Sequence, residues 1–161
     1  MKGPLLALMI SSIATAAFAC ECGGVSVVDG QRTMSSDPPP LSTSELKGYT
    51  AVFSGRVVRL DVDRVRSKQC EECFTQDVVA TFEVSSQWKG HSGHEYVVRT
   101  PGSSSACGYP FELGQEYLVY VKKGTHDFRY DVDLCSRTGE LVLASAEVRF
   151  LEQLKASRRS D

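Results

Sequence analysis

After residue 18 the sequence has no apolar run long enough to cross a bilayer, no excess of positive charge and no internal repeat. The first absence excludes a transmembrane helix beyond the N-terminal region, because a span takes about twenty residues. The second removes the electrostatic footprint of a nucleic-acid binder. The formal charge is −2, and no strand pattern interleaves basic with aromatic residues. The third removes stacked-repeat architectures. Catalytic partners are missing too. No histidine and carboxylate can be argued into place around Ser103-Ser104-Ser105, so the chain is read as a non-enzyme that needs no cofactor.

What is present begins at the N-terminus. Lys2 supplies a minimal positive region, and Pro4 to Phe18 is an apolar run of about fifteen residues, the length of a secretion signal. Ala17 and Ala19 fit the small-x-small cleavage rule, which makes residues 1–19 a signal peptide and 20–161 the mature domain. The mature chain is then secreted or periplasmic, and Cys20 is its first residue. An alternative is a lipoprotein anchored through Cys20, the only route to a membrane. Lipoprotein signals place Leu three residues before the acylated cysteine and a small residue two before it. Here those positions hold Ala17 and Phe18, which fits ordinary cleavage better.

All six cysteines (Cys20, Cys22, Cys70, Cys73, Cys107 and Cys135) lie after the cut. An even count in an exported chain reads as disulfides, with 15 pairings open. Joining the first two to the last two closes loops of roughly 90 to 110 residues, worth about 4 to 5 kcal/mol each in the chain-entropy model. That leaves Cys70 and Cys73 as a local pair. Glu71 and Glu72 between them raise thiol pKa values, the reverse of what a reactive thiolate needs. A zinc site shared with His91 and His94 is disfavoured by the intervening strand, whose roughly ten residues span about 30 Å. The histidines are read as solvated turn residues, and the chain is expected to bind no metal of its own.

Gly23 to Pro40 has few periodic apolar positions and ends in three prolines, so it reads as a surface crossing. Ser42 and Glu45 form a capping signature for a short helix through Lys47, which Gly48 stops. Strand alternation follows over Val52 to Leu60, with Gly55 marking a bulge or bend. A second strand over Val78 to Trp88 places Phe82 and Trp88 on one core face, ahead of a Lys89-Gly90 turn. Further strands are read at Tyr96–Thr100, Glu116–Val121 and Phe128–Leu134. A closing helix is read from about Ala146 to Ala156, with Ser145 as N-cap and Val148, Leu151 and Leu154 on one face. The expected fold is mainly β: a five-stranded Greek-key barrel of the OB type with a C-terminal helix, stapled by disulfides. The alternative is a two-sheet sandwich.

Cleavage after Ala19 creates an α-amino group on Cys20. With Cys20 and Cys22 bonded into the fold, that amine and the Cys20 carbonyl are fixed in space and able to chelate a metal presented by another protein. Four features then carry a resemblance: the Cys20-Glu21-Cys22 start, Trp88-Lys89-Gly90, the run Thr100-Pro-Gly-Ser-Ser-Ser-Ala-Cys-Gly-Tyr109, and Asp133-Leu134-Cys135. In this order they resemble the netrin-like domains, and among them the tissue inhibitors of metalloproteinases, as a bacterial-type single-domain member.

The resemblance implies the pairs Cys20–Cys107 and Cys22–Cys135, with Cys70–Cys73 left local. It implies that the Cys20 amine and carbonyl ligate the catalytic zinc of a protease, and that Glu21, Cys22, Ser105 and Ala106 form the inhibitory ridge. The partner is then a zinc metalloprotease, met by a monomer. Glu21 stands where the family has a small or hydroxylated residue, so a hydrophobic specificity pocket is expected to be inhibited poorly. The other reading is a non-inhibitory, secreted or lipid-anchored netrin-like module that binds proteins.

Overall fold

Alternating apolar residues of Val52 to Val57 and Val78 to Phe82 cannot be buried by one flat ribbon, and the chain closes them into a ring. The structure is a computed structural model that describes residues 26–28, 31–33, 41–66, 74–124 and 130–158. Its strands are β1 (Ser26–Val28), β2 (Gln31–Thr33), β3 (Ala51–Arg66), β4 (Phe74–Lys89), β5 (Glu95–Pro101), β6 (Glu116–Lys123), β7 (Tyr130–Asp131) and β8 (Gly139–Glu140). Its helices are α1 (Thr43–Lys47) and α2 (Ser145–Ser157). Five strands follow one another around the ring in the order β3-β4-β5-β7-β6, and β6 pairs back onto β3. The β5–β7 step is parallel and the others antiparallel. The molecule is therefore mainly β with a C-terminal helix, and the two-sheet alternative falls away because one ring closes.

The interior holds Phe53, Val57, Phe82, Tyr96, Val98, Val119 and Val132, all nearly inaccessible. Phe53 stacks on Tyr96 at 4.4 Å and meets Phe82 edge-on at 5.5 Å, geometries that suit the aromatic quadrupole. A second cluster lies outside the ring, where α1 and α2 cover Val52, Leu118 and Tyr120 with Leu46 and Leu151. Arg137 joins its elements: Nε donates to Glu147 at 2.7 Å and Nη1 to Glu45 at 3.3 Å. Tyr120 donates its hydroxyl to the same Glu147 oxygen at 2.8 Å.

Gly55 bends the sheet as expected. The β3–β4 register slips between Ser54 and Gly55, and a Cβ there would stand 2.6 Å from the Glu83 carbonyl oxygen. Ser42 caps α1 through a 3.1 Å bond from Glu45 N–H. The Glu45 carboxylate turns to Arg137, so the capping signature is only half used here.

Five readings are corrected. β1 and β2 pair as a small hairpin inside the stretch read as a surface crossing. Phe82 and Trp88 do not share a face: slips that leave Ser85 and Trp88 as extra residues shift the alternation, so Phe82 enters the ring and Trp88 packs outside on α2. There its indole N–H donates to Glu152 at 2.8 Å. The fifth strand ends at Asp131 and not at Leu134, because the chain turns at Asp133, whose carbonyl takes Ser136 N–H; Phe128 and Arg129 lie outside the described residues. Helix α2 starts at Ser145 itself. A 3-10 turn over Leu141–Leu143 runs straight into it, and Ala144, without a capping bond, occupies the N-cap. His91, though exposed, is engaged: its ring lies parallel to Tyr130, and Nδ1 meets the Tyr130 hydroxyl at 2.7 Å.

Lys89 shows why the Trp-Lys-Gly run matters locally. Its ammonium donates to the carbonyls of Leu46 at 2.9 Å and Lys47 at 3.1 Å, and also to that of Tyr49. Burial, and then the charge of Arg158, hold its pKa below the ordinary lysine value. Lys89→Met removes the charged donor shared by those three carbonyls, of which Leu46 keeps Tyr49 N–H. The expected cost is about 1 to 3 kcal/mol, read by urea unfolding, with no change in the ring's near-ultraviolet signal.

Candidate functional site

The Thr100–Tyr109 run folds into a closed loop at the rim of the ring. Thr100 is fully buried, and its hydroxyl accepts Tyr109 N–H at 2.7 Å, pinning the two ends together. Gly102 N–H donates to Gln76 of β4 at 2.7 Å. Ser104 to Ala106 make one 3-10 turn, in which Ala106 and Gly108 both donate to the Ser103 carbonyl, at 3.1 and 2.9 Å. Gly108 is buried against the loop's own backbone; a Cβ there would lie 1.8 Å from the Pro101 oxygen. Burial pushes the Tyr109 hydroxyl up to about 12, so it stays neutral. The loop packs inward through Gly108 and presents Gly102 to Ala106 to solvent. The two ridge residues expected from the sequence, Ser105 and Ala106, are on that exposed crest.

Cys107 ends the turn in the left-handed region, at φ +66° and ψ +25°. A side chain costs roughly 1 to 2 kcal/mol there, so the neighbours must fix it. Its carbonyl accepts Leu134 N–H at 2.7 Å, which places the Cys107 and Cys135 segments side by side. Both cysteines are in the disulfide form, and no thiol is free among the described residues. Cys20, Glu21, Cys22, Cys70 and Cys73 lie outside the described residues, as does the expected cleavage site.

A clamp beneath the rim holds the two segments together. Arg99, two residues before Pro101, donates Nε and Nη2 to the two carboxylate oxygens of Asp131 at 2.9 and 2.6 Å. Its Nη1 reaches Asp77 of β4 at 2.9 Å. These three side chains are 15%, 20% and 8% exposed, so the pairs are largely desolvated. Hydrogen bonding to Asp131 raises the Arg99 pKa above its ordinary value, against the opposing effect of burial. Among the described residues the main-chain β5–β7 contact is one register pair, Arg99 with Asp131, extended by Val132 N–H on the Arg99 carbonyl at 2.9 Å. The side-chain clamp therefore reinforces this seam of the ring. One step further along, Asp133 binds Lys122 at 3.0 Å through one oxygen, and its other oxygen is buried without a partner among the described residues.

Sequence reasoning missed this clamp. Arg99 pairs with residues 22 and 32 positions away, and nothing local marks it. Among the described residues no group of three or more histidine, cysteine or acidic side chains is placed to hold a metal ion. No helix there is long and apolar enough to cross a membrane. Comparison with protein-family models finds no match, and comparison with curated proteins finds no significant one.

Proposed function

We propose that the chain is a secreted inhibitor of zinc metalloproteases, in which the α-amine and carbonyl of Cys20 chelate the protease's catalytic zinc. In this reading the ring is an OB-type Greek-key barrel of the netrin-like class, spanning 20–161 after removal of residues 1–19. Cys20–Cys107 and Cys22–Cys135 staple the N-terminal segment to the rim, Cys70–Cys73 closes locally, and Glu21, Cys22, Ser105 and Ala106 make up the ridge.

The observation that carries it is the convergence of Cys107 and Cys135 beneath an exposed crest. Cysteines two apart in an extended segment point to the same side, about 7 Å from each other. Such a segment suits two oxidised cysteines on adjacent strands of chain. Double anchoring pre-organises the amine, which lowers the entropy cost of binding. The strand order supports the barrel class: a closed Greek-key ring whose third and fifth strands run parallel.

Zinc takes only the unprotonated amine, whose reference pKa is about 7.7 to 8.0. Below that range the proton must be displaced, so inhibition is expected to strengthen as pH rises through it. Acetylating the amine of the exported chain should abolish inhibition of a zinc endopeptidase while circular dichroism stays unchanged. Inhibition that survives acetylation, or an intact mass carrying acyl chains on Cys20, overturns the reading.

A further inference from the structure

Strand β3 outruns its neighbour. β6 covers its outer edge from Ala51 to Arg56, and Val57 closes the contact, donating to Gln115 O at 3.0 Å and accepting from Gly114 N–H at 2.8 Å. From Val58 onward no other described strand pairs with that edge. Val57 directs both main-chain groups away from β4, and antiparallel pairs alternate in this respect. Val57 faces Phe82, Val58 is the extra residue at a slip, and Leu60 and Val62 face Ala80 and Val78. Counting alternate residues along β4 from Phe82 gives Leu60 and Val62 the same outward direction. The β4 side agrees: Val84 N–H bonds His94 O, and Gln76 O takes Gly102 N–H, both toward β5. Leu60 and Val62 therefore offer main-chain donors and acceptors to the open edge, and Val62 is 66% exposed.

We infer that two copies of the chain associate weakly through this edge, Leu60 of each pairing with the partner's Val62 about a two-fold axis. Charge selects the register. Centring on Val62 would oppose Asp61 and the partner's Asp63 twice, and centring on Leu60 runs out at the Val58 slip. Pairing Leu60 with the partner's Val62 sets Arg59 opposite the partner's Asp63 at both ends, attractive cross-strand pairs. One like-charge contact is left, Asp61 against the partner's Asp61, and Arg59 already holds its own Asp61 at 2.9 Å. Charged residues on open edges commonly guard against pairing. Here Asp61 is the one guard the register does not neutralise. The contact falls well below the roughly 1,200 Å² of a standard interface, so the dimer forms only at high concentration. This departs from the monomer expected of the sequence and is independent of the inhibitory reading.

Sedimentation equilibrium of the oxidised, exported chain is expected to show a reversible dimer. Asp61→Asn should tighten it about threefold or more. Val62→Lys should abolish it without altering circular dichroism, since Val62 is exposed. The register has its own readout. In a glutathione redox buffer Asp61→Cys should give a disulfide-linked dimer, whereas Arg59→Cys and Asp63→Cys, each opposite a different residue, should not. An Asp61→Asn chain that stays monomeric at roughly millimolar concentration overturns the proposal. So does cross-linking of Asp63→Cys as efficient as that of Asp61→Cys.

Discussion

Arg99→Met is expected to destabilise the fold by about 3 to 5 kcal/mol, the range for stranding a buried charge, with a fall in Tm of roughly 10 °C or more. The methionine replaces most of the buried stem, so packing loss is the smaller part. The larger part is that Asp77 and Asp131 lose the guanidinium both contact, at positions only 8% and 20% exposed. Because Arg99 and Asp131 are themselves the β5–β7 register pair among the described residues, the two carboxylates are also expected to push that seam apart. The Arg99→Met/Asp77→Asn/Asp131→Asn chain tests the cause. Neutralising both carboxylates should recover most of the stability if the loss of the guanidinium's charge is the penalty, and little if shape is. Urea unfolding of the three chains distinguishes the two. On the proposed function, Arg99→Met should also weaken inhibition beyond its effect on stability, because the seam positions the Cys107 and Cys135 segments.

The sequence shows its local features well and its long-range ones poorly, for a physical reason that particular residues make plain. Gly55 is legible as a bend because a strand interior has little other use for glycine, and the Glu83 carbonyl indeed fills the space its side chain would take. Ser42 is legible because a cap acts within three residues. Leu151 and Val148 are legible from helical spacing, and both pack in the outer cluster. The β1–β2 hairpin had a signal that was passed over: Asp29-Gly30 separates Val28 from Gln31, the strongest short-range hairpin dipeptide. Trp88 was misplaced because a period of two carries no information about where a register slips, and each slip exchanges the faces. The Arg99 clamp had no signal at all, since its spacing reflects how the ring closes. At the site, Ser105 and Ala106 were singled out only by the resemblance of the motif around them, and what the fold adds is that both are exposed. What raises that crest is the fit of Gly108 beneath it, which only coordinates reveal.

Gly108→Ala is therefore the sharper test of the rim. Its added methyl would stand 1.8 Å from the Pro101 oxygen and 2.9 Å from that of Ser103, both main-chain atoms. A crowded side chain can rotate away, but a carbonyl can move only by shifting the backbone it belongs to. Here that backbone is fixed by Gly102 on Gln76, by Gly108 on Ser103 and by Tyr109 on Thr100. The loop must open, exposing Gly108 and loosening the left-handed Cys107. The cost is expected at or above the upper end of overpacking, about 3 kcal/mol or more. Gly139→Ala is the matched control: nothing lies within 4 Å of the new methyl, so stability should change by no more than about 0.5 kcal/mol. A Gly108→Ala chain as stable as the Gly139→Ala chain would mean the loop is not closed as described. If Gly108→Ala unfolds at lower urea yet keeps its inhibitory strength under native conditions, the crest is structural and the amine acts without it. Loss of both together ties the shape of this one loop to the presentation of Cys20.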